Sequence, residues 1–256
     1  MRLLVINPNT TASMTAKIAF AARSVAALGT QIIALNPMDG PPSVEGYYDE
    51  VFSIPPMLGE MRKAGPVDAT IIACFDDVGL DAARSLSPTP VLGIGEAAFH
   101  LASLVAGRFG VVTTLGRSIP TIEHNLVRYG LASRCTRVRA SNVAVLALEQ
   151  PGSAARQEIA REIAASIEED RSEAIVLGCA GMADLADDLS RQFGVPVVDG
   201  VVAAVKLAES LVSLRLTTSK RGAYAAPLAK TFAGSMAEHS PLTDLTELAP
   251  TAESAA

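Results

Sequence analysis

The feature that most constrains this chain is an internal offset. Asn7 and Thr113, each just past an apolar run, stand 106 residues apart, as do Pro90 and Pro196, each just before one. Cys74 and Cys179 are 105 apart, and Ala-Ala-Phe-His-Leu-Ala (97–102) aligns at 106 with Ala-Ala-Val-Lys-Leu-Ala (203–208). Several landmarks holding nearly one offset point to duplication of a single unit. The 256 residues then divide into a first half, 1–106, and a second, 107–212. Residues 213–239 are expected to pack back on the body, and 240–256, polar and Pro-containing, to form a mobile tail.

Each half alternates strand and helix patterns. In the first, short apolar runs at 2–6, 31–35, 68–74 and 89–94 read as strands, and 13–28, 54–63, 76–86 and 96–106 as helices. In the second, 110–113, 137–144 and 174–179 read as strands, 119–129 and 154–169 as helices, and 217–232 as a strand or coil and helix folding back. Alternation of this kind implies a parallel sheet. The expected fold is α/β: two similar parallel-sheet α/β halves related by a pseudo-twofold, with the active site in the cleft faced by the carboxyl edges of both sheets.

A net charge of −6 and a pI near 5.2 exclude a basic stripe for a phosphate backbone, so no nucleic-acid partner is expected. The run Leu3 to Ile6 is too short for a secretory signal, and no apolar run reaches the length that crosses a bilayer; a cytoplasmic protein without a membrane partner is expected. Three cysteines, at 74, 135 and 179, are too few for a disulfide framework and show no metal-ligand spacing, so they read as free thiols.

A lone Cys ending an apolar strand is commonly a small buried core residue. Cys74 and Cys179 occupy equivalent places, each ending a strand before a helix, where a helix dipole and free N–H groups are expected to favour thiolate. Stereo-inversion needs two such groups on opposite faces of one carbon, a base that removes a proton and an acid that delivers one from behind. The resulting enolate oxygen would accept N–H bonds from the backbone after each cysteine, at Phe75 to Asp77 and at Ala180 and Gly181, where glycine allows close approach. Asn7 and Thr113, on equivalent lips of the cleft, read as orienters of the substrate, with Thr114 as a third; Asn7 also suits an Asx turn beside Pro8.

Asp76 lies close enough to Cys74 to face the substrate, yet adjacent acids at a helix start commonly cap it, and the N–H groups of the helix beginning there are expected to absorb Asp76 and Asp77. No metal site is expected, because His100, His124 and His239 lack ligand spacing. Gly93-Ile94-Gly95 lacks the third glycine of a dinucleotide loop, so no nucleotide cofactor is expected. Cys135 falls outside the repeat and reads as incidental.

Four stretches in order, Ile-Asn-Pro-Asn-Thr-Thr (6–11), Ala-Cys-Phe-Asp-Asp (73–77), Val-Val-Thr-Thr (111–114) and Gly-Cys-Ala-Gly-Met (178–182), resemble the aspartate/glutamate/hydantoin racemase superfamily over about residues 1–230, and within it the hydantoin branch. The resemblance implies catalytic cysteines at Cys74 and Cys179, proton exchange at C5 of a 5-monosubstituted hydantoin without metal, pyridoxal phosphate or other cofactor, a small-molecule substrate and a homo-oligomer. The amino-acid racemase branch resembles Cys-Asn-Thr-Ala and Cys-Thr-His at the two thiols, whereas this chain has Cys-Phe-Asp-Asp and Cys-Ala-Gly-Met. It therefore lacks the His and amide that would assist a thiol against a weakly acidic proton. Allantoin, itself a 5-substituted hydantoin, is the nearest alternative substrate. A maleate-type isomerase, with one Cys as nucleophile, and a non-catalytic two-lobed ligand binder are the other readings.

Overall fold

The computed structural model describes residues 1–149, 154–182 and 185–241. The first half opens with strand β1 (Arg2–Ile6), buried after its first residue, and helix α1 (Ala12–Val25). The buried Met14, Ile18, Ala21 and Ala22 of α1 recur at the spacing of one helical face. Then come β2 (Gln31–Leu35), α2 (Tyr47–Lys63), β3 (Ala69–Ile72), α3 (Leu80–Leu86), β4 (Val91–Gly93) and α4 (Ile94–Val105). The second half repeats the series: β5 (Phe109–Thr113), α5 (Ile119–Arg128), β6 (Cys135–Ala140), α6 (Ala155–Glu168), β7 (Ala174–Gly178), α7 (Ala186–Phe193), β8 (Val197–Val198) and α8 (Gly200–Ser213). The sheets run β2-β1-β3-β4 and β6-β5-β7-β8, every pair parallel. β3 and β7 are buried throughout, as interior strands with helices on both faces must be. The fold is α/β, in two parallel-sheet halves of the same strand order.

The halves meet through their last helices. α4 leaves the first sheet to pack on β7, α8 leaves the second to pack on β3, and the two helices lie against each other. Ile94 and Gly200, 106 residues apart, touch at this junction: a Cβ on Gly200 would come within 2.6 Å of the Ile94 carbonyl oxygen. Only glycine permits that approach. Equivalent positions of a duplicated unit meet at the axis relating the copies, so the pseudo-twofold passes between the starts of α4 and α8. Around it one apolar cluster spans both halves, with Phe99 edge-on to Phe75 at 5.3 Å and stacked on Phe109 at 6.0 Å.

Several segments differ from the sequence reading: β6 runs Cys135–Ala140 rather than 137–144, and α7 (Ala186–Phe193) lies where no helix was read. α2 begins at Tyr47 rather than Ile54 and continues through Pro55 and Pro56. Its start is held by Asp49, which accepts the Glu45 N–H at 3.0 Å, and Ser53, Met57 and Met61 bury one stripe of it. α3 begins at Leu80 rather than Asp76, because the chain turns first: the Asp77 N–H bonds the Cys74 carbonyl and Asp77 is left-handed, with φ 51°. After α8 the chain runs in extended coil with short helical turns at Gly222–Tyr224 and Gly234–His239, where a strand or coil and helix was expected. Thr218 ties this strap to the carbonyls of Pro88 and Thr89, and Arg62 to those of Glu238, His239 and Ser240. Of the expected tail, residues 242–256 lie outside the described residues. Among the described residues no helix is long and apolar enough to cross a membrane.

Candidate active site

The carboxyl ends of β1, β3, β5 and β7 open on one cavity, lined by Asn7, Cys74, Phe75, Asp76, Thr113, Thr114, Cys179 and Ala180. The cavity measures about 40 Å³. A space this small suits a compact molecule rather than an extended one. Of the residues expected to face the substrate, two do not line the cavity: Asp77, whose N–H bonds the Cys74 carbonyl at 3.0 Å, and Gly181. The latter stands behind Cys179, donating its N–H to Sγ at 3.4 Å. The ring of Phe75 is turned into the core against Phe99, which leaves its backbone to the cavity wall.

Asn7 is both a wall residue and the centre of a turn. Its Oδ1 accepts the Asn9 N–H at 3.3 Å, and its Nδ2 donates to Asn9 Oδ1 at 2.9 Å and to Thr15 Oγ1 at 3.0 Å. The Thr113 hydroxyl donates to the Gly178 carbonyl at 3.0 Å, binding the tip of β5 to that of β7. A Cβ on Gly178 would lie 2.8 Å from Thr113 Cα, so glycine is what lets the strand before Cys179 approach so closely.

Burial dominates the ionisation of both sulfurs. It pushes the Cys74 thiol well above its ordinary range, with Asp76, Asp77 and Cys179 adding to the rise and the Asp76 N–H opposing it. Burial pushes Cys179 up to about 12; the Gly181 N–H and the Lys17 ammonium pull down, while Asp76 and Asp199 push up. The expectation that helix ends favour thiolate is thus corrected. α3 begins at Leu80, well beyond Cys74; among the described residues Cys179 is followed by the single turn Ala180–Met182, and α7 begins at Ala186, whereas a helix dipole acts within about one turn of its end.

The two acids are separated in role. Asp76 is pushed up to about 7 by burial, with Glu50 adding and the Ser118 hydroxyl opposing. Asp77 is likewise pushed up to about 7 by burial, opposed by its hydrogen bonds. It caps α4 rather than its own helix, accepting the N–H groups of Gly95 at 2.9 Å and Glu96 at 2.8 Å and the Tyr129 hydroxyl at 2.8 Å. A Cβ on Gly93 or Gly95 would collide with Asp77, so that glycine pair is a cradle for a carboxylate. Sequence reasoning did not single out eight wall residues: Pro8, Asn9, Met14, Val44, Ala73, Ser118, Val145 and Gly178. Asn9 could have been found as the second amide of Asn-Pro-Asn; Val44 and Val145 sit in loops with no periodicity to mark them.

A family profile described as Asp/Glu/Hydantoin racemase matches residues 3–208. A hydantoin racemase of Rhizobium meliloti is 49% identical, over 91% of this chain and 98% of its own length. One from Pseudomonas sp. (strain NS671) is 46% identical, over 92% and 96%. The solved allantoin racemase from Klebsiella pneumoniae superposes with a TM-score of 0.91 at 46% identity, covering 94% of this chain and 100% of that one. A duplicated α/β fold with a cysteine loop from each copy on one cavity therefore coincides with likeness along nearly the whole chain, and the chain belongs to the Asp/Glu/hydantoin racemase family as an isomerase, a racemase.

Proposed function

We propose that this racemase acts on 5-monosubstituted hydantoins, moving a proton at C5 between Cys74 and Cys179. The observation that carries the reading is the pair of half-buried thiols, 105 residues apart in a duplicated chain, on one small cavity. A thiolate on one face breaks the C5–H bond and forms S–H; the opposite thiol gives its proton to the other face of C5. The C5–H lies beside a ring carbonyl, and the charge that develops on that oxygen needs donors. The N–H groups of Phe75 and Ala180, one after each cysteine, are suited to this and donate to no protein acceptor among the described residues. Asn7 and Thr113, already fixed by their own bonds, act as orienters of the ring.

The likeness to an allantoin racemase favours a second reading, in which the C5 substituent is a ureido group. Polarimetry of single enantiomers separates the two. Decay of rotation with a 5-alkyl hydantoin supports the proposal, decay with allantoin alone supports the second reading, and decay with neither removes hydantoins as the substrate class.

A further inference from the structure

The duplication breaks at three polar residues of the cavity wall. Asp76, Thr114 and Ser118 line the cavity, with 9%, 4% and 4% of their surfaces exposed. Their counterparts under the duplication, at offsets of 105, 106 and 106, are Gly181, Pro8 and Ala12, none of which carries a polar side-chain atom. The three belong to one side, because α5, which Ser118 leads into, is tied to the loop after Cys74: Asn125 Nδ2 donates to the Asp76 carbonyl at 2.9 Å. Backbone bonds pin the other two, the Ser118 N–H donating to the Leu115 carbonyl at 3.0 Å and the Ser141 hydroxyl to the Thr114 carbonyl at 3.4 Å. Their side-chain atoms are left over. Thr114 Oγ1 bonds no protein group among the described residues, and the Asp76 carboxyl has the Ser118 hydroxyl beside it where a carboxyl has room for several donors. Buried polar groups short of protein partners are costly, so on a cavity wall they mark where a ligand's own polar atoms belong.

Resting on the hydantoin reading above, we propose that Asp76, Thr114 and Ser118 form a subsite for the ureide edge of the ring, its N–CO–N segment, with Asp76 accepting a ring N–H and the two hydroxyls donating to the C2 carbonyl. A hydantoin presents N1–H, the C2 carbonyl and N3–H along that edge, an alternation of donor and acceptor that a carboxyl and two hydroxyls match. The edge is common to 5-alkyl hydantoins and allantoin, so the subsite reads the ring and not the C5 substituent. Burial raises the Asp76 carboxyl to about 7, and in either protonation state one oxygen still accepts. Because the equivalent places on the other side hold no such groups, the ring takes one orientation in a cavity whose thiols are related by the pseudo-twofold. The C4 carbonyl is then left to the N–H groups of Phe75 and Ala180. A free amino acid has no ureide edge and would leave these buried groups unpaired, which is how a polar site rejects a wrong substrate.

The test compares, by polarimetry, one 5-alkyl hydantoin with its N1-methyl and N3-methyl derivatives, in the full chain and in its Asp76→Asn and Asp76→Val variants. Methylation also changes the acidity of C5–H, but that change is common to the three proteins and cancels when their preferences are compared. Wild type should favour the parent over one of the derivatives at least about tenfold in kcat/KM, since a site built to bond an N–H rejects the analogue without it. Asp76→Asn keeps an acceptor oxygen and should hold that preference within about threefold. Asp76→Val has similar bulk and no acceptor, and should lose the preference through a fall of about tenfold or more in kcat/KM for the parent, the disfavoured derivative changing little. Both variants remove the charge near the thiols, so a difference between them reports the hydrogen bond. No preference in wild type, or the same preference in the two variants, would overturn the proposal. Should Asp76→Val not fold by circular dichroism, Thr114→Val decides: a rise in KM for the parent of about fivefold or more, with kcat within about twofold, supports the subsite, and any smaller rise refutes it. Racemisation of the parent and both derivatives alike removes the subsite only, whereas failure of the wild type to racemise either the parent or allantoin removes the hydantoin reading beneath it.

Discussion

At the residue scale, a thiol pushed up to about 12, as Cys179 is, and one held higher than its ordinary range, as Cys74 is, leave little thiolate in the free chain at neutral pH. The thiolate fraction grows about tenfold for each unit of pH below such a value and falls equally as pH drops. Since kcat/KM reports the free enzyme, it is expected to climb with pH from about 7 to about 9 at a logarithmic slope near one, measured by polarimetry under saturating reductant. A flat profile would mean that substrate binding, not the free thiols, sets the reactive form. Cys135 opens β6 away from the cavity, and its thiol too is pushed up to about 12 by burial. Cys135→Ser should leave kcat/KM within about twofold, because a small swap outside the site costs little. The repeat marks Cys74 and Cys179 in the sequence and leaves Cys135 out. Their protonation was not legible, since burial depends on what α1, α5 and the opposite half bring to the sulfurs rather than on neighbours along the chain.

At the scale of elements, the contact of α4 with α8 is set by one absent side chain. Gly200→Ala would drive a methyl to within 2.6 Å of the Ile94 carbonyl oxygen. The helices must separate, and a loss of about 1–3 kcal/mol is expected, read as a lower midpoint in urea unfolding. Asp77 gives a pH-dependent counterpart. Its carboxyl is raised in the fold from 3.8 to about 7, so the folded chain binds that proton more tightly than the unfolded one. The stability it contributes is whole below about pH 4 and is lost as pH rises through about 7. Urea unfolding should therefore show the wild type's advantage over Asp77→Asn to be larger at pH 5 than at pH 8; an unchanged gap would mean that Asp77 is not raised. The sequence placed Asp77 at the head of its own helix, because adjacent acids before an apolar run carry that local signature. What decides otherwise is a left-handed turn at Asp77 and a glycine cradle in α4, joined only when the sheet forms. α2 was misjudged for a related reason: Pro55 looks like a helix start, yet Ser53, Met57 and Met61 supply burial on both sides of it.

For the whole molecule, two sheets of one strand order and an axis between α4 and α8 put the carboxyl ends of β3 and β7 on a common cavity. That arrangement was legible because duplication fixes which residues must correspond, and Asn7 with Thr113, and Cys74 with Cys179, fall where it requires. The mouth of the cavity was not. Val44 and Val145 come together through a bond between halves, Glu45 Oε1 accepting the Val145 N–H at 2.9 Å, and no repeat landmark or periodic pattern encodes a contact between two irregular loops. The most direct measurement of the two-thiol reading is C5 deuterium incorporation from deuterated water, with optical rotation followed in parallel, for wild type, Cys74→Ser and Cys179→Ser on each enantiomer of one hydantoin. Wild type should racemise with deuterium entering C5, and each single variant should lose racemisation by at least about a thousandfold, since a base or acid essential to the step is gone. Any exchange that survives should be confined to the enantiomer whose C5–H faces the remaining thiol, a different one for each variant. Racemisation surviving in either variant, or residual exchange from the same enantiomer in both, would contradict proton transfer between Cys74 and Cys179.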